Sequence, residues 1–356
     1  MKKDVFLVVS DLHDTEKNMA TRIDYKKEIN FVYSRIFQVI KKYEQTDAKV
    51  HLLFLGDIFH RSYRSAERSM ESMDTVQFLC ERVETAHSVV GNHEITWAAS
   101  NPFWYLVPSL EEAPSILGGK KKLEAKGLSG KLQVVDRLRF GDVEFLFNHY
   151  GVRPQQPSQD VTSIGLFHQD VVMRDLLPEM EKKFGVTMFN HGFEFVDDTD
   201  SLAGYQYAFV GHQHLSYGTY RYENEKSKSQ TEVCWLASLG RTNETEVQDT
   251  FLERNLPAIL FLDGKFIGVE DNKFDLPSRA ECINEAVVLK NKEYRKTIQE
   301  RKNLALLQFT YDPLENLMRN FDGNPVLQDV IQSRSEGNQS QLDEFIKECF
   351  DEVVRK

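Results

Sequence analysis

The segment Val5-Phe6-Leu7-Val8-Val9-Ser10-Asp11-Leu12-His13 decides the fold. An unbroken apolar run rich in β-branched residues, with no polar alternation, describes a strand buried on both faces. Polarity returns abruptly at the carboxyl end of that strand with Asp11 and His13, and strand alternation would direct both to the same side. A carboxylate and an imidazole so placed could grip one cation.

The same grammar repeats downstream. Residues 28–43 carry Ile29, Val32, Ile36, Val39, Ile40 and Tyr43 at helical spacing. Val50 to Leu55 reads as a second buried strand, 65–84 as a helix through Met73, Val76, Leu79, Cys80 and Val83, and His87 to Val90 as a third strand. This β-α-β-α-β order predicts a parallel sheet and an α/β fold. Residues 118–131, rich in Gly and Lys, read as a loop. Strand-like stretches then run into histidines: 143–147 before His149, 164–167 before His168, 186–189 before His191, and 207–210 before His212. A hairpin is expected at 258–262 and 266–269, turning at Asp263-Gly264. From Pro277 the pattern is helical with mixed charge, over 279–302 and 340–356. The chain is therefore divided into a domain of residues 1–275 and a helical C-terminal region of 276–356.

Composition narrows the setting. The chain has 356 residues, 28% of them charged, and a net charge of -11, so broad attraction to nucleic acid or anionic membrane is not its means of binding. No segment approaches the length of a membrane span, and the apolar run at the N-terminus is too short for a secretory leader. Cys80, Cys234, Cys282 and Cys349 form no C-x-x-C pair, which disfavours a disulfide framework or zinc knuckle and fits a reducing cytoplasm.

Further polar clusters follow other strands: Gly56-Asp57, Gly91-Asn92-His93-Glu94, and Gly211-His212-Gln213-His214. Glycines permit the tight turns these positions need, and the carboxyl ends of parallel strands face one crevice. Imidazole with carboxylate suits Mn, Fe, Zn or Ni, whereas Mg prefers nearly all-oxygen sites. Two such ions clamp a phosphoryl group and lower the pKa of bound water towards ~7, supplying hydroxide as nucleophile.

The ordered set D-x-H, GD, GNH[DE], a lone His and GHxH resembles the calcineurin-like metallophosphoesterases over residues 4 to 240. The resemblance implies a four-layer β-sandwich flanked by helices, with the helical C-terminal region as an appendage. It also implies two divalent metal ions, with Mn2+ preferred. Asp11, His13, Asp57 and His214 would hold one ion; Asp57, Asn92, His212 and the lone His would hold the other. His168 is favoured as the lone His for its strong preceding strand, with His191 and His149 as alternatives. His93 would contact the scissile phosphate and act as general acid. If Asn92 coordinates through its amide oxygen, the side chain after it points elsewhere, towards substrate.

Phosphoprotein phosphatases carry GD-x-x-DRG, and Gly56-Asp57-Ile58-Phe59-His60-Arg61-Ser62 departs from it. The His60 variant instead resembles the SbcD-type DNA repair nucleases. That resemblance implies DNA cleavage, as exonuclease or endonuclease, in repair or recombination, and an SbcC-type coiled-coil ATPase as partner. Arg61 is the candidate substrate-binding residue, with Arg64 and Arg68 beside it. Lys120, Lys121, Lys122 and Lys126 fit a phosphate contact and a solvated loop equally. Trp97, Phe103, Trp104 and Tyr105 could stack on bases, although such clusters more often belong to cores or interfaces. Asp14 after the first motif, Glu94 in the third and the absence of a proline after the second depart from the nuclease pattern. The apolar face of 342–353 would dock on the ATPase or on this chain's own core, and a homodimer is a further candidate assembly. Two further readings stay open: a phosphodiesterase acting on nucleotides or other small phosphoesters, and a non-catalytic scaffold that keeps the fold.

Overall fold

A computed structural model describes residues 2–15, 21–60, 66–94, 132–150, 152–172, 196–197, 202–214, 218–223, 229–242, 244–248 and 252–311, the side chains of 66–73, 172, 196–197, 245 and 304–311 aside. Arg61, Arg64, the side chain of Arg68, the aromatic cluster at 97–105, the lysines at 120–126, His191, Cys349 and the stretch 340–356 lie outside the described residues.

The opening apolar run forms β1 (Lys3–Val9). It pairs in parallel with β2 (Ala48–Phe54), and β2 pairs in parallel with β3 (Thr85–Ser88). The crossovers are α1 (Tyr25–Glu44), started by the Asp24 carboxylate accepting from Lys27 N, and α2 (Ala66–Glu81). β4 (Leu132–Val134) extends this sheet in parallel beyond β3. On the other side of β1 lie two antiparallel strands, β13 (Glu253–Leu262) and β14 (Lys265–Asp275), giving six strands in all. The turn between them has positive φ at both Asp263 and Gly264, the conformation a two-residue hairpin favours.

A second sheet, also of six strands, runs in the spatial order β11 (Gly218–Glu223), β12 (Gln230–Trp235), β10 (Tyr207–Val210), β7 (Thr162–Phe167), β6 (Val143–Asn148), β5 (Arg137–Phe140). The strands β12, β10, β7 and β6 are mutually parallel, and β11 and β5 are antiparallel edges. A short pair, β8 (Val171–Val172) with β9 (Val196–Asp197), stands apart.

Alternation along β1 explains why its sequence is apolar throughout. Val5, Leu7 and Val9 pack with Ile29, Val32, Ile36 and Ile40 of α1, while Phe6 and Val8 pack with Phe145, Phe147, Ile164 and Leu166 of the second sheet. The strand thus feeds a helix–sheet layer and a sheet–sheet layer at once. Outside the second sheet, Leu146, Phe167, Val210 and Trp235 form a third cluster with Leu202 and Tyr205. Each fully buried large apolar side chain contributes ~1.5–3 kcal/mol. The architecture is the flanked β-sandwich that the motif order implied; the strands of the first hundred residues pair in parallel as read, and antiparallel strands from later in the chain make both sheets mixed.

Beyond β14, α3 (Arg279–Cys282) begins with a capping box in which Glu281 accepts from the backbone N of Ser278. The helical reading of 279–302 is interrupted at Ile283, which bridges to Arg22, before α4 (Glu285–Tyr311). Contacts divide the chain into a unit spanning Met1–Glu285 and a second beginning at Ala286. Among the described residues no helix is long and apolar enough to cross a membrane.

Candidate metal centre

Each motif sits just past the carboxyl end of a strand, and the two sheets contribute jointly. Asp11, Asp57 and Asn92 follow β1, β2 and β3; His168 follows β7, and His212 and His214 follow β10. The site is therefore at the shared edge of a sandwich, not in the crevice of one open sheet.

The convergence does not come from strand alternation. β1 has ended at Val9, and Asp11, His13, Asp57, His212 and His214 all adopt positive φ, between 45° and 73°. Only two other non-glycine residues among those described do so, both in turns. Left-handed backbone costs ~1–2 kcal/mol per residue, so the site concentrates strain that the surrounding structure must hold.

The holding is done largely by backbone hydrogen bonds. His13 N donates to Asp57 O at 2.9 Å, Asp14 N to Ile58 O at 2.9 Å, and His60 N to Asp14 O at 2.9 Å, zipping the first two motif loops together. The buried Asp14 carboxylate accepts from Tyr33 Oη (2.9 Å) and Lys26 Nζ (3.2 Å), anchoring the pair to α1. Glu94 accepts from Asp57 N, Ile58 N and Gly91 N at 2.6–2.9 Å. A Cβ at Gly91 would collide with Asp57 Oδ1, so the turn admits no larger residue.

Asp57 Oδ1 accepts from His93 N at 2.9 Å, which turns Oδ2 inward. Two groups of potential ligand atoms share Asp57, each group lying within 4.8 Å: Asp11, His13, Asp57 and His214, and Asp57, His168 and His212. Asn92 joins the second group, its Oδ1 3.0 Å from His168 Nε2. His168 Nδ1 donates to Leu55 O, leaving Nε2 to face Asp57 Oδ2 at 3.3 Å. In the first group His13 Nε2 and His214 Nε2 face one another at 2.8 Å, a contact that requires a proton or an ion between them.

The electrostatics favour positive charge at this site. Burial alone would raise the Asp57 carboxyl, but the adjoining imidazole of His168, with His13 and His93 behind it, holds it below the carboxylate range. Burial opposes a charge on His168, and Asp57 overrides it, raising the imidazole to about 10. His214 is raised to about 9 against burial by its hydrogen bond to Glu246. His13 goes the other way, lowered by burial and by the neighbouring His214. Burial and the charge of Asp57 push Glu94 up to about 8. His212 Nδ1 is buried with no hydrogen-bond partner, and buried Asp57 Oδ2 is met by imidazole nitrogens of His168, His13 and His93 at 3.3–3.8 Å. Such atoms fit divalent cations, and the mixed imidazole–carboxylate donor set fits Mn, Fe, Zn or Ni.

Of the three candidates for the lone histidine, the structure brings His168 to the cluster. His149 is engaged elsewhere: Nδ1 accepts from Val90 N at 3.0 Å and Nε2 lies 3.2 Å from Asp136 Oδ1. His93 is brought beside Asp57 with Nε2 3.8 Å from Oδ2, and forms a third group with His13 and His60. Three neighbours had no sequence signal. Glu246 contacts His214 at 2.9 Å, Asp170 Oδ2 lies 3.7 Å from His212 Nε2, and the Tyr150 ring lies 5.2 Å from that of His212. Glu246 stands beyond the last motif, while Asp170 and Tyr150 follow His168 and His149 with no pattern of their own.

A two-sheet sandwich presenting paired imidazole–carboxylate groups at its strand ends has the architecture of a metallophosphoesterase. The chain belongs to the calcineurin-like phosphoesterase family, whose model matches residues 5–216. No curated protein matches the sequence. Among solved structures, the NAD nucleotidase of Haemophilus influenzae aligns at 10% identity and a TM-score of 0.39, covering 77% of this chain and 50% of that one. The sulfate thiohydrolase SoxB of Thermus thermophilus aligns at 12% identity and 0.37, covering 83% and 61%. A 5'-nucleotidase from Candida albicans aligns at 11% and 0.35, covering 78% and 52%. The chain thus spans between 50% and 61% of the length of these three proteins.

Proposed function

We propose that this chain is a two-metal phosphodiesterase that cleaves DNA. Asp11, His13, Asp57 and His214 would hold one divalent cation, and Asp57, Asn92, His168 and His212 the other, with Asp57 common to both. Bound there, the cations would polarise phosphoryl oxygens and acidify water for attack at neutral pH. The observation that carries the reading is the third imidazole group, His13, His60 and His93, which shares His13 with the first ligand group and brings His93 Nε2 within 3.8 Å of the Asp57 common to both. A sugar alkoxide is a poor leaving group, so diester cleavage profits from a positioned proton donor, and His93 would serve as that donor. Its Nδ1–H is donated to the backbone oxygen of His60, which leaves Nε2 as the atom that would deliver the proton.

His60 is also the residue through which the second motif resembles the SbcD-type nucleases, and this favours DNA. An SbcC-type ATPase is the corresponding partner, with the amphipathic stretch at 342–353 as its contact. The net charge of -11 favours the rival substrate class, nucleotides or other small phosphoesters. Incubating the purified chain with Mn2+ and either single- and double-stranded DNA or bis(p-nitrophenyl) phosphate separates them. Cleavage of DNA supports the proposal; turnover of the small diester with intact DNA replaces it with the rival; no turnover of either overturns both.

A further inference from the structure

Glu246 is a buried carboxylate that no motif explains. It closes a 3-10 turn, Glu244–Glu246, thirty-two residues beyond His214 and outside the span matched by the family model. Its Oε1 accepts from His214 Nδ1 at 2.9 Å. The other ring nitrogen, His214 Nε2, faces His13 Nε2 at 2.8 Å and Asp11 Oδ1 at 3.8 Å, inside the first ligand group.

The turn is held from outside the cluster. Arg254 NH2 donates to Glu246 O at 3.2 Å, while its Nε donates to Ser238 O at 3.0 Å. Ser238 in turn donates through N to His214 O and through Oγ to Asp11 O, both at 2.9 Å. Arg279 NH1 donates to Glu244 O at 2.9 Å. One guanidinium thus ties the turn that carries Glu246 to the segment that carries both Asp11 and His214, fixing the carboxylate relative to the imidazole.

We infer that Glu246 is the positioning residue of the first metal site. By accepting the Nδ1 proton of His214 it sets that ring's tautomer, aims the Nε2 lone pair at the ion, and makes the imidazole a more basic ligand. Carboxylate–histidine–metal units of this kind typically change metal affinity ~10–100-fold when the carboxylate is altered. The second group, built on His168 and His212, would keep its own affinity.

This inference rests on the reading of His214 as a metal ligand, and the experiment separates the two. Binding of Zn2+ to metal-free wild type, His214→Ala, Glu246→Gln and Glu246→Asp is measured by titration calorimetry, without substrate. The expected result is two sites in wild type, loss of one in H214A, ~10–100-fold weakening of that same site in E246Q with the other unchanged, and partial recovery in E246D. If H214A binds as wild type does, the metal-site reading fails; if H214A loses a site and E246Q binds like wild type, only the role of Glu246 fails. Should E246Q not fold, nitrogen-15 spectra of the histidines in zinc-loaded wild type decide. A proton on Nδ1 and zinc on Nε2 of His214 supports the assignment, and zinc on Nδ1 overturns it.

Discussion

The Nδ1–H of His93 is bonded to the main-chain oxygen of His60, and the two imidazoles stack with ring centres 5.0 Å apart. The bond assigns Nδ1 to the backbone, and the stack orients the ring so that Nε2 lies 3.8 Å from Asp57 Oδ2. Unlike His13, whose side chain is fully buried, the His93 side chain is 23% exposed, so it borders both the ligand groups and solvent.

A proton donor in that place can be removed without dismantling the metal site. His93→Gln is expected to lower kcat by ~10²–10⁴-fold. Metal content by elemental analysis should stay at the wild-type value, because the hydrogen bond that turns Asp57 comes from the His93 backbone N and survives the substitution. Loss of metal together with activity would reassign His93 to ligation.

Asp57 should behave in the opposite way. It is common to both ligand groups, so Asp57→Ala removes an anionic donor from each, and both ions should be lost or bound far more weakly. Elemental analysis after gel filtration measures this, and a variant retaining two ions would refute the shared role. For the wild type, saturating Mn2+ should raise the unfolding midpoint and a chelator should lower it, as binding to the folded state alone requires.

How far these features could be read in advance depended on whether local sequence carried them. The apolar runs of β1, β2, β6 and β7 were legible because burial on two faces leaves no other composition. The hairpin was legible because Asp263-Gly264 is one of few dipeptides that accept positive φ twice. The route by which Asp11 and His13 reach one site was not. Spacing suggested extended alternation, whereas left-handed backbone, held by partners from Asp57 to Gly240, does the turning. Glu246 and Asp170 owe their places to chain segments that meet only in the folded sandwich.

The same limit hid a buried charge network. Arg22 and Arg241, which sequence habit assigns to the surface, are buried, and both donate to Glu28 Oε2, at 3.0 and 3.2 Å. Glu28→Ala would leave two buried guanidiniums without their shared carboxylate, at an expected cost of ~3–5 kcal/mol. Urea denaturation of the metal-free protein tests this, and a loss below ~1 kcal/mol would show that other partners suffice.

A pH dependence should also arise outside the metal-ligand groups, at His87. This residue is buried on β3, its Nδ1 has no hydrogen-bond partner, and burial, with His51 nearby, lowers its imidazole to about 4. Its unfolded value is about 6.5, so the unfolded chain takes up the proton first as pH falls. Neutral His87 therefore favours the fold above about 6.5, and that advantage declines through the window down to about 4, at about 1.4 kcal/mol per pH unit. Denaturation midpoints of the metal-free protein, measured across that window for wild type and for His87→Gln, isolate the contribution. The variant should lose stability less steeply with falling pH, and parallel curves would mean that His87 takes up its proton at the same pH folded and unfolded.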